Sequence, residues 1–202
     1  MYTNTNTKSI TIKGFMKDKF LKNVYRYDEK DDTYHVVVDL DTYRDVYSAW
    51  DYSPMNNRDI DEDLLDFLMD CSSEIGINNK MIVDFYIPKE IIDPEREAKS
   101  IDGFRQYFFY RIRKIKVERV RRIKSALVLF FIGLGLLSIS NFVKIIIPYA
   151  LASELISEGL FIGAWVAIWE IFNTMFFEVS ALNHKIRHFS RLKNAPINYK
   201  QK

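Results

Sequence analysis

The sequence predicts an α+β domain followed by an α-helical hairpin of two transmembrane helices, assembled as a homo-oligomer. Three observations predict this fold class. The chain of 202 residues changes along its length from an acidic half to a short basic segment and then to long apolar stretches. β-Branched runs and one amphipathic pattern alternate in the first half. Two apolar segments, each long enough to cross a bilayer, follow in the second half.

The charged residues divide the chain into four parts. Residues 1–104 contain 22 Asp or Glu and 13 Lys or Arg, whereas residues 105–124 contain nine Lys or Arg and one Glu. The net charge of +2 conceals this asymmetry. We therefore predict a cytosolic α+β domain with a flexible amino terminus (1–104), a basic juxtamembrane helix (105–124), a transmembrane hairpin (125–180) and a cytosolic basic tail (181–202).

The first domain is predicted to contain three strands and one helix. β-Branched runs indicate strands at ITIKGF (10–15), YHVVVDL (34–40) and MIVDFYIP (81–88). Residues 58–76 place apolar side chains at helical spacing, with acids in the first turn and Gly76 as a stop signal.

A further helix is predicted to begin near Asp93 or Pro94 and to run into the membrane, because no Pro or Gly follows Gly103 before the apolar stretch. Such a continuous helix would transmit any rearrangement of the cytosolic domain rigidly to the first transmembrane helix.

Two apolar segments predict the hairpin. Residues 125–143 carry no charge, and 19 residues at about 1.5 Å rise each cover the hydrocarbon core of a bilayer. The second segment, 155–177, contains Glu158 at its start and Glu170 near its middle. A carboxylate at mid-membrane costs about 2.5–3.5 kcal/mol, so this helix is marginal alone.

The flanking charges predict the orientation. Cations precede the first apolar segment and follow the second, whereas the connector 148–157 holds Glu154 as its one charged residue, with Glu158 just after it. By the positive-inside rule, both termini are expected in the cytoplasm. The alternative is a soluble protein with two buried core helices, which would normally show a polar face.

Small and polar residues form one stripe on the second helix, with Glu170 among them. This stripe predicts either a tight interface between helices, or an aqueous path lined by several copies, with lipid-facing snorkelling of Glu170 as a third possibility. The two helices of one chain cannot shield the Glu170 carboxylate well from lipid, so the first two interpretations favour a homo-oligomer. The pore-lining candidates are Gly159, Gly163, Ala167, Glu170 and Thr174.

The basic segment is interleaved with aromatic residues at 107–110. It is explained by anionic lipid headgroups, or by a phosphate-bearing ligand whose bases stack on the aromatic rings. In a symmetric oligomer such a ligand would be a cyclic nucleotide or an oligonucleotide. The candidate phosphate-binding residues are Arg105, Arg111, Arg113 and Lys114.

No catalytic or metal-binding pattern is recognised, so an enzyme, a cofactor or a metal is not predicted. Acids at 59, 61 and 63 imitate a calcium loop but lack its Gly and its final Glu, and they fit a helix start. His184 and His188 share a helical face without a third ligand, and are expected at the membrane surface. Cys71 stands alone, which excludes an internal disulfide.

Residues 47–75 and 155–169 resemble a group of small bacterial proteins that have a cytosolic α+β domain and a two-helix membrane hairpin. The architecture also resembles the membrane effectors of Hailong antiphage systems. That resemblance implies an inner-membrane channel, tetrameric by preference, held in check by a DNA oligomer from a partner nucleotidyltransferase. The group commonly has Arg-Pro after the Trp matching Trp169, where this chain has Glu170 and Ile171.

Together these observations predict a ligand-gated ion channel of the bacterial inner membrane that acts in antiphage defence. The expected partners are the lipid bilayer, further copies of the chain, and a nucleotide or DNA-oligomer ligand on the cytosolic domain. The competing prediction is a membrane-anchored adaptor or envelope scaffold protein without a pore.

Overall fold

A computed structural model describes residues 19–147 and 150–202. In these residues the chain is mostly helical, with a small mixed sheet and two long apolar helices. It divides into two compact units, one containing the described chain up to Ile112 together with Arg187–Lys202, and the other containing Arg113–Ile186. The predicted strand at 10–15 and the predicted flexible amino terminus lie outside the described residues.

The first unit is built on a four-stranded sheet in the order β1-β2-β3-β4. β1 pairs antiparallel with β2, whereas β2 pairs parallel with β3 and β3 parallel with β4. The strands are β1 (Arg26–Asp28), β2 (Thr33–Asp39), β3 (Lys80–Ile87) and β4 (Ile197–Gln201). The predicted strands at 34–40 and 81–88 are therefore confirmed as β2 and β3.

The predicted helix at 58–76 is confirmed as α1 (Glu62–Ile75). Asp61 precedes it, and its carboxylate accepts hydrogen bonds from the backbone N–H groups of Asp63 (3.1 Å) and Leu64 (3.2 Å), as an N-cap residue does. Gly76 follows it with a φ of 80°, a left-handed conformation that glycine adopts without strain. The clustered acids are thus explained by the helix start.

The long helix α2 (Pro94–Ile146) begins where the sequence predicts, and it contributes residues to both units. The Asp93 carboxylate accepts hydrogen bonds from the backbone N–H groups of Glu95 (3.0 Å) and Arg96 (3.3 Å) at its start. Helical structure continues in α3 (Ala150–Asn173), a π-helical turn (Thr174–Glu178) and α4 (Val179–Asn194). The helix α3 therefore begins within the predicted connector.

The predicted tail at 181–202 is not a tail. Its residues form most of α4 and all of β4, and β4 pairs with β3 so that Phe85 lies opposite Tyr199. Burial of Ile197 and the pairing of Lys200 with the buried Asp84 carboxylate (2.6 Å) favour this placement. The basic side chains of 181–202, among them Lys193 and Lys200, indicate a solvated segment when only the sequence is considered.

Aromatic rings from β3, α2, α4 and β4 form the core of the first unit. The Phe104 and Phe108 rings are 4.8 Å apart, and the Phe108 ring lies 5.4 Å from Phe189 of α4. Phe85 contacts both Phe104 and Tyr199. The beginning of α2 is therefore a core element of this unit, so the predicted boundary at 104/105 is moved to Ile112.

Candidate functional site

α2 and the helical stretch Leu151–Asn194 each contain a window long and apolar enough to cross a membrane, by length and composition. Only 17% of either window is buried within the chain. Large apolar side chains are exposed on both, including Phe131 (68%), Trp169 (74%) and Phe177 (71%). A core helix of a soluble protein is mostly buried, so the low burial of both windows favours membrane association over two buried core helices.

The two apolar helices meet through small and hydroxylated residues at a repeat of seven. On α2 the buried residues of this kind are Ala126, Gly133 and Ser140. On the facing side of the hairpin they are Ser153, Ser157, Ala164, Ala167 and Thr174. Small side chains allow close backbone approach in an apolar environment, and the repeat of seven keeps one seam facing its partner.

Two contacts fix the register of this hairpin. The Ser140 hydroxyl donates to the Ser157 carbonyl oxygen (2.9 Å) and also lies 2.8 Å from the Ser157 hydroxyl oxygen. A Cβ added to Gly133 would lie 3.4 Å from the Ala167 Cβ, so the backbones nearly touch there. Residues after Ala167 therefore face residues of α2 that come before Gly133.

The five residues of the predicted pore-lining stripe differ in how far they are buried within the chain. Ala167 and Thr174 are buried within the chain, because both lie on the seven-residue seam that faces α2. Gly163 is half-buried, and a Cβ there would meet a Leu136 methyl group at 3.6 Å. Gly159 and Glu170 are exposed. The face that is open to another chain or to water is therefore narrower than the sequence predicts.

Glu170 lies beside the basic end of α2 rather than beside the middle of its uncharged run. It lines a cavity of about 510 Å³ whose other residues lie where the uncharged run of α2 begins. The hairpin register explains this position, since α3 runs antiparallel to α2 and returns Glu170 to the basic end. The cavity is lined by Arg121, Arg122, Lys124, Ser125, Ala126, Val128, Leu129, Glu170, Thr174 and Glu178.

Two arginines of the basic segment are tied to the returning helix. Arg122 lies 3.2 Å from a Glu178 carboxylate oxygen and 3.7 Å from Glu118. Arg119 donates to the Asn183 side-chain oxygen (2.9 Å), while its Nε is buried and has no hydrogen-bond partner among the described residues. These contacts hold the basic ends of the hairpin together.

The four predicted phosphate-binding residues do not form one cluster. Arg105 lines a hollow of about 710 Å³ together with Phe109 and Lys193. The Arg111 guanidinium instead lies 5.7 Å from the Tyr107 ring centre, in a cation–π contact. Arg113 and Lys114 are exposed and belong to the second unit.

A second hollow, of about 350 Å³, shares Gln106 and Phe109 with the first. It adds Arg58 from the loop before α1 and the exposed Tyr110 ring from α2. One carboxylate also lines each hollow, Asp102 in the first and Asp59 in the second. The aromatic surface suits a planar ligand whose phosphate contacts Arg58 or Arg105. Sequence reasoning missed Arg58 and Lys193 because both are distant in the chain from the basic segment.

The buried carboxylate of Asp84 was also not predicted from the sequence. It lies on the face of the sheet opposite Phe85, because consecutive residues of a strand face opposite sides. The Asp84 side chain is fully buried and accepts hydrogen bonds from Lys200 (2.6 Å) and Asn198 (3.1 Å), and His35 Nδ1 lies 2.7 Å from it. Burial alone would raise the pKa of Asp84, but these hydrogen bonds outweigh it and hold the pKa below its usual value. One carboxylate inside the apolar strand MIVDFYI was the available signal.

His188 is a core residue rather than a membrane-surface one. It is 3% exposed, and its Nδ1 lies 2.9 Å from the Ser72 hydroxyl of α1. Beside it, Arg191 donates to the carbonyl oxygens of Ser72 (2.8 Å) and Asn79 (2.7 Å). Arg191 therefore links α4 to the last turn of α1, where the Ser72 carbonyl oxygen also accepts from the Gly76 N–H (3.2 Å), and to the turn that follows it.

Comparison with protein-family models, with curated proteins and with solved structures returns no match for this chain.

Proposed function

We propose that the protein is a homo-oligomeric ion channel of the bacterial inner membrane, controlled by a ligand on its folded domain and acting in antiphage defence. The observation that carries the proposal is the hairpin itself: two apolar helices, exposed over most of their surface, with an exposed carboxylate beside a cationic cluster at one end. The defence role and a tetrameric assembly rest on the resemblance to Hailong effectors.

The sheet supports a hairpin that returns to the side where it entered. β3 precedes the apolar helices in the chain and β4 follows them, yet the two strands are hydrogen-bonded neighbours. A chain that crossed the membrane an odd number of times could not pair them. An even number of crossings, together with the basic residues before α2 enters its apolar run, favours both described ends in the cytoplasm.

A path for ions requires several copies of the chain. Within one copy, α2 and α3 bury only one narrow seam, and Gly159 and Glu170 remain exposed. In a symmetric assembly, Glu170 side chains would form a ring near the cytoplasmic mouth rather than halfway across. A ring of carboxylates raises the local cation concentration, so the path would favour cations.

The ligand is assigned to the two hollows that share Phe109. Arg105 and Lys193 supply positive charge on one side and Arg58 on the other, while Phe109 and Tyr110 supply stacking surfaces. A nucleotide or DNA oligomer made by a partner nucleotidyltransferase fits this chemistry. The single helix α2 supplies residues both to the hollows and to the hairpin. A movement of α2 caused by ligand binding would therefore reach the ion path along one continuous helix.

The second candidate function is a membrane-anchored adaptor or scaffold without a pore. It is favoured by the burial of Ala167 and Thr174 within one chain, which leaves fewer small residues for contact between copies. In that case the hairpin would only anchor the folded domain, and the hollows around Phe109 would bind a partner.

Ion flux separates the two candidates. We expect purified protein in liposomes to conduct cations, and Glu170→Gln to reduce the cation preference without changing the assembly. Glu158→Gln is the matched control, because Glu158 is an exposed carboxylate at the other end of α3. Absence of flux with and without oligonucleotide, from an intact oligomer, would favour the adaptor. An unchanged reversal potential in Glu170→Gln would remove Glu170 from the path.

A further inference from the structure

The cavity that contains Glu170 carries charges of both signs above an apolar wall. Its volume of about 510 Å³ lies within the usual range of ligand sites. Its cationic side chains all come from α2 and its two carboxylates, Glu170 and Glu178, from the returning helix, while Ala126, Val128 and Leu129 form the apolar part. We propose that this cavity binds the headgroup of a phospholipid that carries both a phosphate and a primary ammonium, as phosphatidylethanolamine does.

This proposal rests on the membrane location in the proposed function, but not on conduction. The cavity lies wholly within the unit Arg113–Ile186. Lys124 is the last cation before the uncharged run of α2, which begins at Ser125. In a hairpin that spans the bilayer, that boundary lies at the level of the lipid headgroups.

Two cations are available for the phosphate. Arg122 is already held by Glu178 (3.2 Å) and Glu118 (3.7 Å). Arg121 and Lys124, by contrast, have no ion pair within 4 Å among the residues described by the structure. A guanidinium binds two phosphate oxygens in parallel, and a lysine ammonium adds a mobile point charge. Basic pockets between helices on the cytoplasmic side are known to bind lipid headgroups in this way.

The carboxylate of Glu170 selects the other half of the headgroup. A purely anionic ligand would be repelled by Glu170, whereas a primary ammonium offers N–H donors to it. A choline headgroup bears the same positive charge without an N–H group. The cavity should therefore distinguish ethanolamine from choline by hydrogen bonding, and from glycerol headgroups by charge.

The apolar wall accounts for the rest of the lipid. Val128 is exposed and Leu129 half-buried, both one turn farther along α2 than the cations. An acyl chain descending from the headgroup would lie along these side chains. An ammonium at Glu170 would also neutralise it, so lipid composition would tune the cation preference of the path.

The test measures lipid binding to the detergent-purified protein by native mass spectrometry. Phosphatidylethanolamine, phosphatidylcholine and phosphatidylglycerol with identical acyl chains are supplied separately. We expect the ethanolamine lipid to bind roughly tenfold more tightly than the choline lipid, the factor that one charge-assisted hydrogen bond is worth. Equal binding of the ethanolamine and choline lipids, or preference for the glycerol lipid, would overturn the proposal.

Variants assign the preference to the cavity. Lys124→Gln should weaken all three lipids by roughly tenfold, since it removes one charge-assisted phosphate contact. Glu170→Gln should weaken both zwitterionic lipids but the ethanolamine lipid more, because both lose the attraction of the carboxylate charge and only ethanolamine loses a charge-assisted hydrogen bond. Lys144→Gln and Glu158→Gln are matched controls, because each makes the same exchange at an exposed position near the other end of the hairpin. Loss of preference in either control would equally contradict the proposal.

The outcomes separate this proposal from the proposed function. Lipid preference without ion flux would leave the lipid site standing and remove the channel. Ion flux without lipid preference would support the channel and remove the lipid site. Recovery of the full-length protein in the aqueous fraction without detergent would overturn both.

Discussion

The buried carboxylate Asp84 makes a quantitative prediction about how β4 is held. Lys200→Met removes the ammonium that lies 2.6 Å from Asp84, while the methionine keeps most of the apolar stem. Asp84 then retains only its contacts to Asn198 and His35, in a position with 0% side-chain exposure. We expect this variant to loosen β4 from β3 without affecting the two apolar helices.

The size of the effect follows from burial. Breaking a buried ion pair from one side costs about 3–5 kcal/mol, but Lys200 is 34% exposed and partly hydrated, so a cost of about 2 kcal/mol is expected. Lys202 is the matched control on the same strand. Its partners Asp39 and Asp41 are 73% and 92% exposed, so Lys202→Met should cost about 0–1 kcal/mol.

Hydrogen exchange of the peptide that contains β4 measures both costs on the detergent-purified protein. A cost of about 2 kcal/mol corresponds to roughly 30-fold faster exchange if β4 opens locally. Asp84→Asn added to Lys200→Met should restore part of the protection, because no unpaired charge then remains buried. Equal exchange in Lys200→Met and Lys202→Met would refute the role assigned to Asp84.

Three further predictions follow from the same geometry. Because the pKa of Asp84 is lowered in the folded protein, its stabilising contribution is complete above the ordinary carboxyl pKa of 3.8 and is lost as the pH falls through the lowered value; exchange at β4, corrected for its intrinsic pH dependence, should therefore be constant from pH 7 to 5 and rise in stronger acid. Gly103→Ala should lower the thermal midpoint, at a cost of about 1–3 kcal/mol, because a Cβ there would overlap the carbonyl oxygen of Met55. Gly133→Leu should destabilise the hairpin, whereas Gly135→Leu, which meets open space, should leave its thermal midpoint in detergent unchanged.

Local features of the fold could be predicted from the sequence. The helix α1 is bounded by a capping carboxylate at Asp61 and by Gly76, and both signals are contained within a few residues. The start of α2 at Pro94 and the positions of strands β2 and β3 could also be predicted from the sequence. Each of these elements is specified by periodicity or by capping, which act over short distances along the chain.

Features that depend on distant partners could not be predicted. INYKQ, the sequence of β4, has two apolar residues in alternation, and its assignment as a strand requires knowing that the edge of β3 is open to it. The position of Glu170 along the hairpin likewise depends on which turn of α2 faces it. That register is set by the contacts of Ser140 with Ser157 and of Gly133 with Ala167. Neither contact is visible in hydropathy.

The parallel pairing of β3 with β4 has a consequence for biosynthesis. A ribosome makes β3 first, then both apolar helices, and β4 only afterwards. The sheet of a nascent chain therefore stays one strand short until both apolar helices have been made and the chain has turned back. If the hairpin fails to return, the edge of β3 stays unpaired and exposed. Unpaired strand edges favour aggregation with other chains.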